Sequence, residues 1–320
     1  MDMRNISLLP VSRISCKKKE NHMNINNILN KEFIDLTADD QKQIVKKLLE
    51  RMMHEFQVND RQGIYAVTQK MMAYNSNKIE GSTLTPDQTA SLFDTGTVLA
   101  NNEVIRAKDV EEMSGHFAMF NEMLKTLNLP LSESLIKVFH YRLKAGVFED
   151  YANGYIAGEY KRLSNMVGNI TTAKPNEVEE DMKELLCIYN NKPMHSLLDL
   201  AKFHAEFEKI HPFQDGNGRT GRMVLFRESL RSHQIPIIIK DDDKINYYHA
   251  LYGAQVNNNF ADLENLFKDA QTEYFSVLQE FLYEYERKQE SNIEEILKEI
   301  EAESKSSDRS ESEIDNMELE

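Results

Sequence analysis

The sequence predicts an all-α fold, and three observations predict it. Apolar residues recur at helical spacing in one segment after another from about residue 38 onward. Helix stop and start signals fall between those segments. Only one short stretch, 160–172, reads as a β-hairpin, and no internal repeat is present. Hydrophobic residues make up 41% of the 320 and charged residues 28%, the balance of a globular chain long enough for a sizeable core.

Taken in order, residues 1–30 read as a poorly ordered extension, within which Met23 offers a second plausible start. Ile64, Val67, Met71 and Tyr74 mark a helix over about 62–81, with Gly81 the natural residue just past its end. Thr85, Pro86 and Gln88 then supply an N-cap, a first helical position and the third position of a capping box. Val104, Val110, Met113, Phe117, Phe120 and Leu124 mark another helix, and Leu135, Ile136, Phe139 and Leu143 one more. In the hairpin, Gly168-Asn169 is the two-residue turn between 159–167 and 170–172. Leu197, Leu198, Ala201, His204 and Phe207 place a helix before residue 211, and Met223, Phe226 and Leu230 place one after it. Phe275, Leu278, Leu282 and Tyr285 begin a terminal helix that Ile293, Ile296 and Ile300 extend. Gln289 and Asn292 interrupt a coiled-coil seam there, which favours core packing. The expected organisation is a helical region over 31–130, a catalytic core over 131–270, a C-terminal helix over 271–303 and an acidic disordered tail over 304–320.

Charge and composition narrow the function. The net charge of −15 argues against binding nucleic acid with the whole surface, although a local basic pocket stays open. From Arg287 to Glu320 there are 12 acidic and 5 basic residues, a net of −7, so the tail holds much of the excess. No apolar run approaches the length of a membrane span; the densest patch is 235–239. The start has the look of no signal peptide, and two cysteines, Cys16 and Cys187, make no disulfide framework, so a reducing cytoplasm is expected.

The chemistry concentrates in residues 211–222, HPFQDGNGRTGR. Gly216, Gly218 and Gly221 fit G-x-G-x-x-G, but a dinucleotide turn needs a preceding strand, and a helix precedes here. The better reading is a glycine loop opening a helix, whose free N–H groups bind anions. Gly216 and Gly218 let a phosphate approach the backbone, and Asn217 adds an amide donor. Arg219 and Arg222, on the first turn, oppose the helix dipole unless an anion neutralises them. Asp215 beside this nest makes sense if it holds Mg²⁺ bridging phosphate oxygens. His211 is the one group with a pKa near neutrality, fit to take a proton. Together these spell phosphoryl or nucleotidyl transfer.

Residues 211–222 match every fixed position of the Fic signature, H-P-F-x-[D/E]-G-N-G-R-x-x-R, and the chain resembles that family over roughly 60–270. The resemblance implies a Fic-fold helical bundle with a β-hairpin flap, and transfer of AMP from ATP to a hydroxyl of a target protein with release of pyrophosphate. It implies His211 as general base, Phe213 as loop anchor and Asp215 as Mg²⁺ ligand. Gly216, Asn217 and Gly218 would form the nest for the α- and β-phosphates, with Arg219 on the β- and Arg222 on the γ-phosphate. The intact Gly216-Asn217-Gly218 favours AMP transfer over the phosphorylation done by relatives with Lys in that loop. Ser76, Glu80 and Gly81 match the family's inhibitory pattern, [S/T]-x-x-x-E-[G/N]: Glu80, paired with Arg222, would withhold the γ-phosphate's partner. Tyr160, Lys161, Arg162, Leu163 and Ser164 resemble the flap that aligns a target segment. Tyr247 and Tyr248 resemble the lining of the adenine pocket, while Gln255 stands where many members have Asn.

The resemblance leaves open the reverse activity, removal of AMP from modified protein at the same site, and an enzyme doing both. The target's Ser, Thr or Tyr is undetermined; self-modification and a homodimer are carried by the resemblance. Two further readings compete: a metal hydrolase on His204, His211 and Asp215, and a non-enzymatic interaction module, which would tolerate His211→Ala.

Overall fold

The computed structural model describes residues 25–99, 104–167 and 170–283. The chain divides into two units, residues 37–281 and the two ends, 1–36 with 282–320. In the smaller unit, Ile25–Leu29 form helix α1, followed by a 3₁₀ turn at Phe33–Asp35. Residues 25–29 were expected to be poorly ordered. They are helical because Ile25, Ile28 and Leu29 fall at i, i+3 and i+4, and all three are buried. The acidic tail over 304–320 and the extension of the terminal helix through Ile300 lie outside the described residues.

The larger unit is built of helices: α2 (Ala38–Gln57), α3 (Ile64–Ile79), α4 (Pro86–Thr95), α5 (Ala107–Lys125), α6 (Glu133–Lys144) and α7 (Phe148–Ala152). After the hairpin come α8 (Val178–Tyr189), α9 (Leu197–Ile210), α10 (Asn217–Arg231), α11 (Lys244–Asn257) and α12, helical from 261 to the end of the unit at 281. Their ends follow local chemistry. The Thr85–Gln88 capping box forms as expected, with Pro86 inside the first turn. Equivalent boxes, Thr37 with Asp40 and Ser196 with Asp199, start α2 and α9. Gly81 ends α3 with a φ of 91°, a left-handed conformation that glycine adopts without strain. Helix α8 starts at Glu177, which makes no side-chain cap. Only the spacing of the buried Val178, Met182, Leu185, Leu186 and Tyr189 marks it.

Helix α10 is the centre of the unit. From Arg219 to Leu230 every residue is buried, and the helix packs against α3, α5, α6 and α9. Burying it requires its charges to be paired. Arg227, fully buried, gives its guanidinium to Glu228 and to the carbonyls of Thr126, Leu127 and Leu129. Arg219 and Arg222, at the other end, emerge at the site described below.

The β structure is smaller than the sequence pattern suggests. Strands β1 (Met166–Val167) and β2 (Ile170–Thr171) pair antiparallel, Met166 with Thr171 and Val167 with Ile170. The Gly168-Asn169 turn lies outside the described residues. Residues 159–165 are not strand, because their polar groups bond to the 211–214 loop instead of to a partner strand. Among the described residues no helix is long and apolar enough to cross a membrane.

Candidate active site

The loop between α9 and α10 gathers the site. His211 ends α9 in the left-handed region, φ 53°, which turns the chain sharply and leaves its side chain largely buried, 18% exposed. Phe213 is wholly buried and stacks flat on the His140 ring, centroids 3.8 Å apart. His140 is thereby a strut. It accepts from Gly158 N–H at Nδ1, 2.9 Å, so its Nε2–H donates to the Asp215 carbonyl at 2.9 Å. Asn217 ties the same loop. Its Oδ1 accepts from Phe213 N–H and its Nδ2 donates to Phe213 O, both at 2.8 Å. This bears on one expectation: the Asn217 side-chain amide is 1% exposed and ties the loop to itself, so it is buried away from a ligand in this structure.

Gly216 caps the start of α10 with a φ of 81°, and no side chain caps the first N–H groups of that helix. Asp215 Oδ1 accepts from Gly216 N–H at 2.7 Å and lies 3.4 Å from Arg219 Nη2. Its Oδ2 lies 2.9 Å from Lys144 Nζ and 3.5 Å from Lys108 Nζ. Burial alone would raise this carboxyl's pKa, but Arg219, Lys144 and Lys108 together hold it well below the carboxylate range. Arg219 is buried and also paired with Glu112 from α5, and it donates to Asn77 Oδ1 from α3 at 3.3 Å. Glu112 and Asp150 in turn share the buried Lys144 ammonium with Asp215. A cavity of about 680 Å³ opens here, lined by Glu80, Lys108, Glu112, Asp215 and Arg219 among others.

Helix α3 reaches the site with Ser76 and Glu80. Arg222 Nε donates to Ser76 Oγ at 3.0 Å, and Nη2 donates to Ser76 O at 2.9 Å and to Glu80 Oε1 at 2.7 Å. Burial pushes the Glu80 pKa up, but Arg222 and Arg219 outweigh it, and the carboxyl stays ionised. Glu80 lies directly over Gly218: a Cβ at position 218 would sit 2.2 Å from Glu80 Oε1. Gly81 brings Glu80 to the end of α3, and Arg106 holds that end through Gly81 O at 2.6 Å.

The adenine-side expectation needs correction. Tyr247 is 1% exposed, lies 5.9 Å under the Arg222 guanidinium and bonds to His204 Nε2 at 2.7 Å, so it has no face free for a base. Tyr248 is 38% exposed and is the accessible ring of the pair. Gln255 donates to Ala205 O at 3.0 Å and braces α9. The metal-hydrolase reading also fails. His204 is buried with its Nε2 bonded to Tyr247, and among the described residues no group of three or more His, Cys, Asp or Glu could hold a metal.

Of the hairpin residues, Arg162, Leu163 and Ser164 are exposed. Tyr160 is half-buried and donates to Glu133 Oε2 at 2.9 Å. Lys161 is 3% exposed and points inward, so it is not available to touch another protein. Lys144, Glu112, His140 and Glu208 also belong to the site and carry no sequence motif. Only their three-dimensional position reveals them.

Burial keeps four histidines here neutral. It lowers His116, His140 and His204 to about 3 and His211 to about 4; Arg219 and Arg222 add to the effect on His116. Burial raises Glu208 to about 8, so it acts in the opposite sense. The unfolded chain protonates its histidines near pH 6.5, well before the folded one. The stability they confer is complete above that pH and is lost as pH falls toward the folded values. With Glu208 offsetting one proton, the fold should lose roughly 3 kcal/mol between pH 6 and pH 5. Melting temperatures at pH 7.5, 6 and 5 check this; a flat profile would mean the histidines are solvated.

Residues 130–227 match the Fic/DOC family. Protein adenylyltransferase fic-1 of Caenorhabditis elegans is 26% identical over 192 residues, 59% of this chain and 37% of that protein. Protein adenylyltransferase Fic of Drosophila grimshawi is 29% identical over 182 residues, 56% of this chain and 36% of that one. The chain therefore spans well under half the length of these curated relatives. In fold, it is similar to a Fic-domain-containing signaling protein from Bacteroides thetaiotaomicron, with a TM-score of 0.60, 23% identity and coverage of 72% of this chain and 96% of the other. It is also similar to a Fic-1 structure from C. elegans, residues 134–508, with a TM-score of 0.56, 20% identity and coverage of 78% and 73%. The loop locked by Phe213 and Asn217, the glycine-opened α10 and its two buried arginines thus lie within residues 130–227, the stretch that matches the Fic/DOC family.

Proposed function

We propose that the chain transfers AMP from ATP to a hydroxyl of a protein, releasing pyrophosphate, and that Glu80 restrains it. The observation that carries the reading is the seat of Glu80. Its carboxylate lies over Gly218 at the start of α10 and 2.7 Å from Arg222. A helix N-terminus and a guanidinium are the donors a phosphate uses. An anion of the chain itself thus fills a place suited to a nucleotide's terminal phosphate. The similarity to protein adenylyltransferases of Caenorhabditis elegans and Drosophila grimshawi supports the same reading.

In this reading the hydroxyl oxygen of a Ser, Thr or Tyr attacks the α-phosphorus, the bond to the β-phosphate oxygen breaks, and pyrophosphate leaves. His211 Nε2 takes the hydroxyl's proton. Its Nδ1 lies 3.3 Å from the Glu208 carbonyl, which can only accept, so the neutral ring carries its hydrogen on Nδ1 and keeps a lone pair on Nε2. The N–H groups opening α10, freed by Gly216 and Gly218, receive phosphate oxygens, with Arg219 and Arg222 beside them. Asp215 is the carboxylate that would hold Mg²⁺: it is ionised and 35% exposed on the cavity beside the phosphate place, and Lys108 and Lys144, which meet its Oδ2 here, would have to yield that oxygen to the ion. When bound, it would neutralise charge on the departing pyrophosphate. The exposed Arg162, Leu163 and Ser164 would present the target segment, and Tyr248 is the ring left for the base. The same geometry suits the reverse reaction, with Glu80 close enough to Gly218 and Arg222 to orient a water.

The test is label transfer. The purified chain with Glu80→Gly, Mg²⁺ and ATP labelled at the α- or γ-phosphate is incubated with cell lysate and alone. Label reaching protein from the α position only is expected. Label from γ would make it a kinase, and none from either would sink the reading.

A further inference from the structure

Lys161 makes a set of bonds that its place in the hairpin does not require. Its ammonium donates to Asn165 Oδ1 at 2.8 Å and Thr172 Oγ1 at 2.8 Å, one on each arm of the hairpin. It also donates to Ile210 O at 3.1 Å, and its backbone N–H donates to Pro212 O at 2.8 Å. Ile210 and Pro212 are the two neighbours of His211. One buried residue thus grips the chain on both sides of the base and both arms of the hairpin at once. Thr172 Oγ1 donates onward to Asn165, whose Nδ2 donates to Phe213 O at 3.1 Å. An ammonium has three protons, and all three are used here. Burial lowers the Lys161 pKa to about 8, opposed only by Asp181, so it is still charged at neutral pH and its bonds are the strong, charge-assisted kind.

We propose that Lys161 is a positioning residue that locks the hairpin to the carbonyls flanking His211, so that the segment presenting a target hydroxyl and the base receiving its proton move as one body. The lock itself stands on the bond network alone; its consequence for transfer rests on the function proposed above. His211 sits in a left-handed conformation that a non-glycine residue holds only when its surroundings enforce it. The two grips at 210 and 212 supply that enforcement. The weaker link from Gln214 to Leu163, at 3.2 and 3.4 Å, is exposed and cannot replace a buried ammonium.

The experiment compares Lys161→Met, which keeps the stem and removes the ammonium, with Thr172→Val, which removes one acceptor on the hairpin side only. Both are made in the full chain carrying Glu80→Gly. Amide hydrogen exchange is read first, because it does not depend on the activity. Exchange should quicken about 10- to 100-fold at residues 163–172 and 211–214 together in Lys161→Met, with α10 unchanged. Thr172→Val should give a smaller change in the same two segments. Quickening confined to the hairpin, or spread evenly over the unit, overturns the lock. Transfer is read second: kcat should fall with KM for ATP unchanged. Unchanged kcat with coupled exchange would leave the lock standing and overturn its role in catalysis. A Lys161→Met chain that fails to fold leaves the decision to Thr172→Val on the same criteria.

Discussion

Replacing Glu80 with glycine is expected to raise AMP transfer on the order of a hundredfold. The carboxylate and Arg222 form a charge-assisted bond at 2.7 Å, with the guanidinium 5% exposed. Such a bond is worth about 3 kcal/mol, and a nucleotide phosphate must displace it before binding productively; 3 kcal/mol is about 10² in a population. The arginine itself should not move far in the variant, because Ser76 holds it through Oγ and O. A stability cost accompanies the gain. Arg222 is left as a buried charge without its carboxylate, so the fold loses about 2–4 kcal/mol, and ATP with Mg²⁺ should restore part of it. Parallel measurement of initial transfer rate and melting temperature separates two roles. A lower melting temperature without faster transfer would make Glu80 a counter-ion and nothing more.

His211→Ala, placed on top of Glu80→Gly, should abolish most of that gain. A positioned general base contributes on the order of 10²–10⁴ in rate. Nucleotide affinity should stay within about twofold, since His211 bonds to neither Arg219 nor Arg222 and uniform binding is unaffected. Alanine inherits the left-handed backbone position without requiring new space. The pH profile adds a second check. Burial lowers His211 to about 4, with Lys161 adding to the effect and Glu80 opposing it. The base form is therefore complete through the neutral range, and the Glu80→Gly profile should show no histidine limb between about pH 8 and pH 6, above the range where the fold itself loses stability. A limb centred near 6.5 would place His211 in water and contradict the buried geometry. A double variant that transfers as fast as Glu80→Gly alone would remove histidine from the mechanism.

Much of this was readable in the sequence, for reasons that are local. The helices declare themselves because 3.6-residue periodicity and capping chemistry are short-range: Thr85 to Gln88 needs no neighbour to form its box. Residues 211–222 are readable because a glycine-opened helix start with two arginines does its chemistry within twelve residues. Misreadings cluster where a side chain's partner is distant in sequence. Asn217 looked like a ligand donor, but its amide is used by Phe213. Lys161 looked like a target contact, but its ammonium reaches Ile210, 49 residues away. Tyr247 looked like a base platform, but it is buried beneath Arg222. In each case the residue type was compatible with both roles, and burial decided between them.

By itself, the sequence determined the helical class and the glycine loop, and it singled out His211, Asp215, Arg219 and Arg222 as the candidate base, carboxylate and arginines, because each depends on spacing along one segment. The resemblance pairs Glu80 with Arg222, 142 residues away; the tertiary structure makes that pair at 2.7 Å and sets the carboxylate over Gly218 at the start of α10. It alone placed Glu112 and Lys144 around Arg219 and Asp215, and bound Lys161 to both sides of His211. Those are contacts of buried charges, and a buried charge is stable only where an opposite charge or hydrogen-bond acceptors meet it. For Glu80, Glu112 and Lys144 the packing of α3, α5 and α6 on α10 brings the partners together, and no pattern within a single segment encodes it.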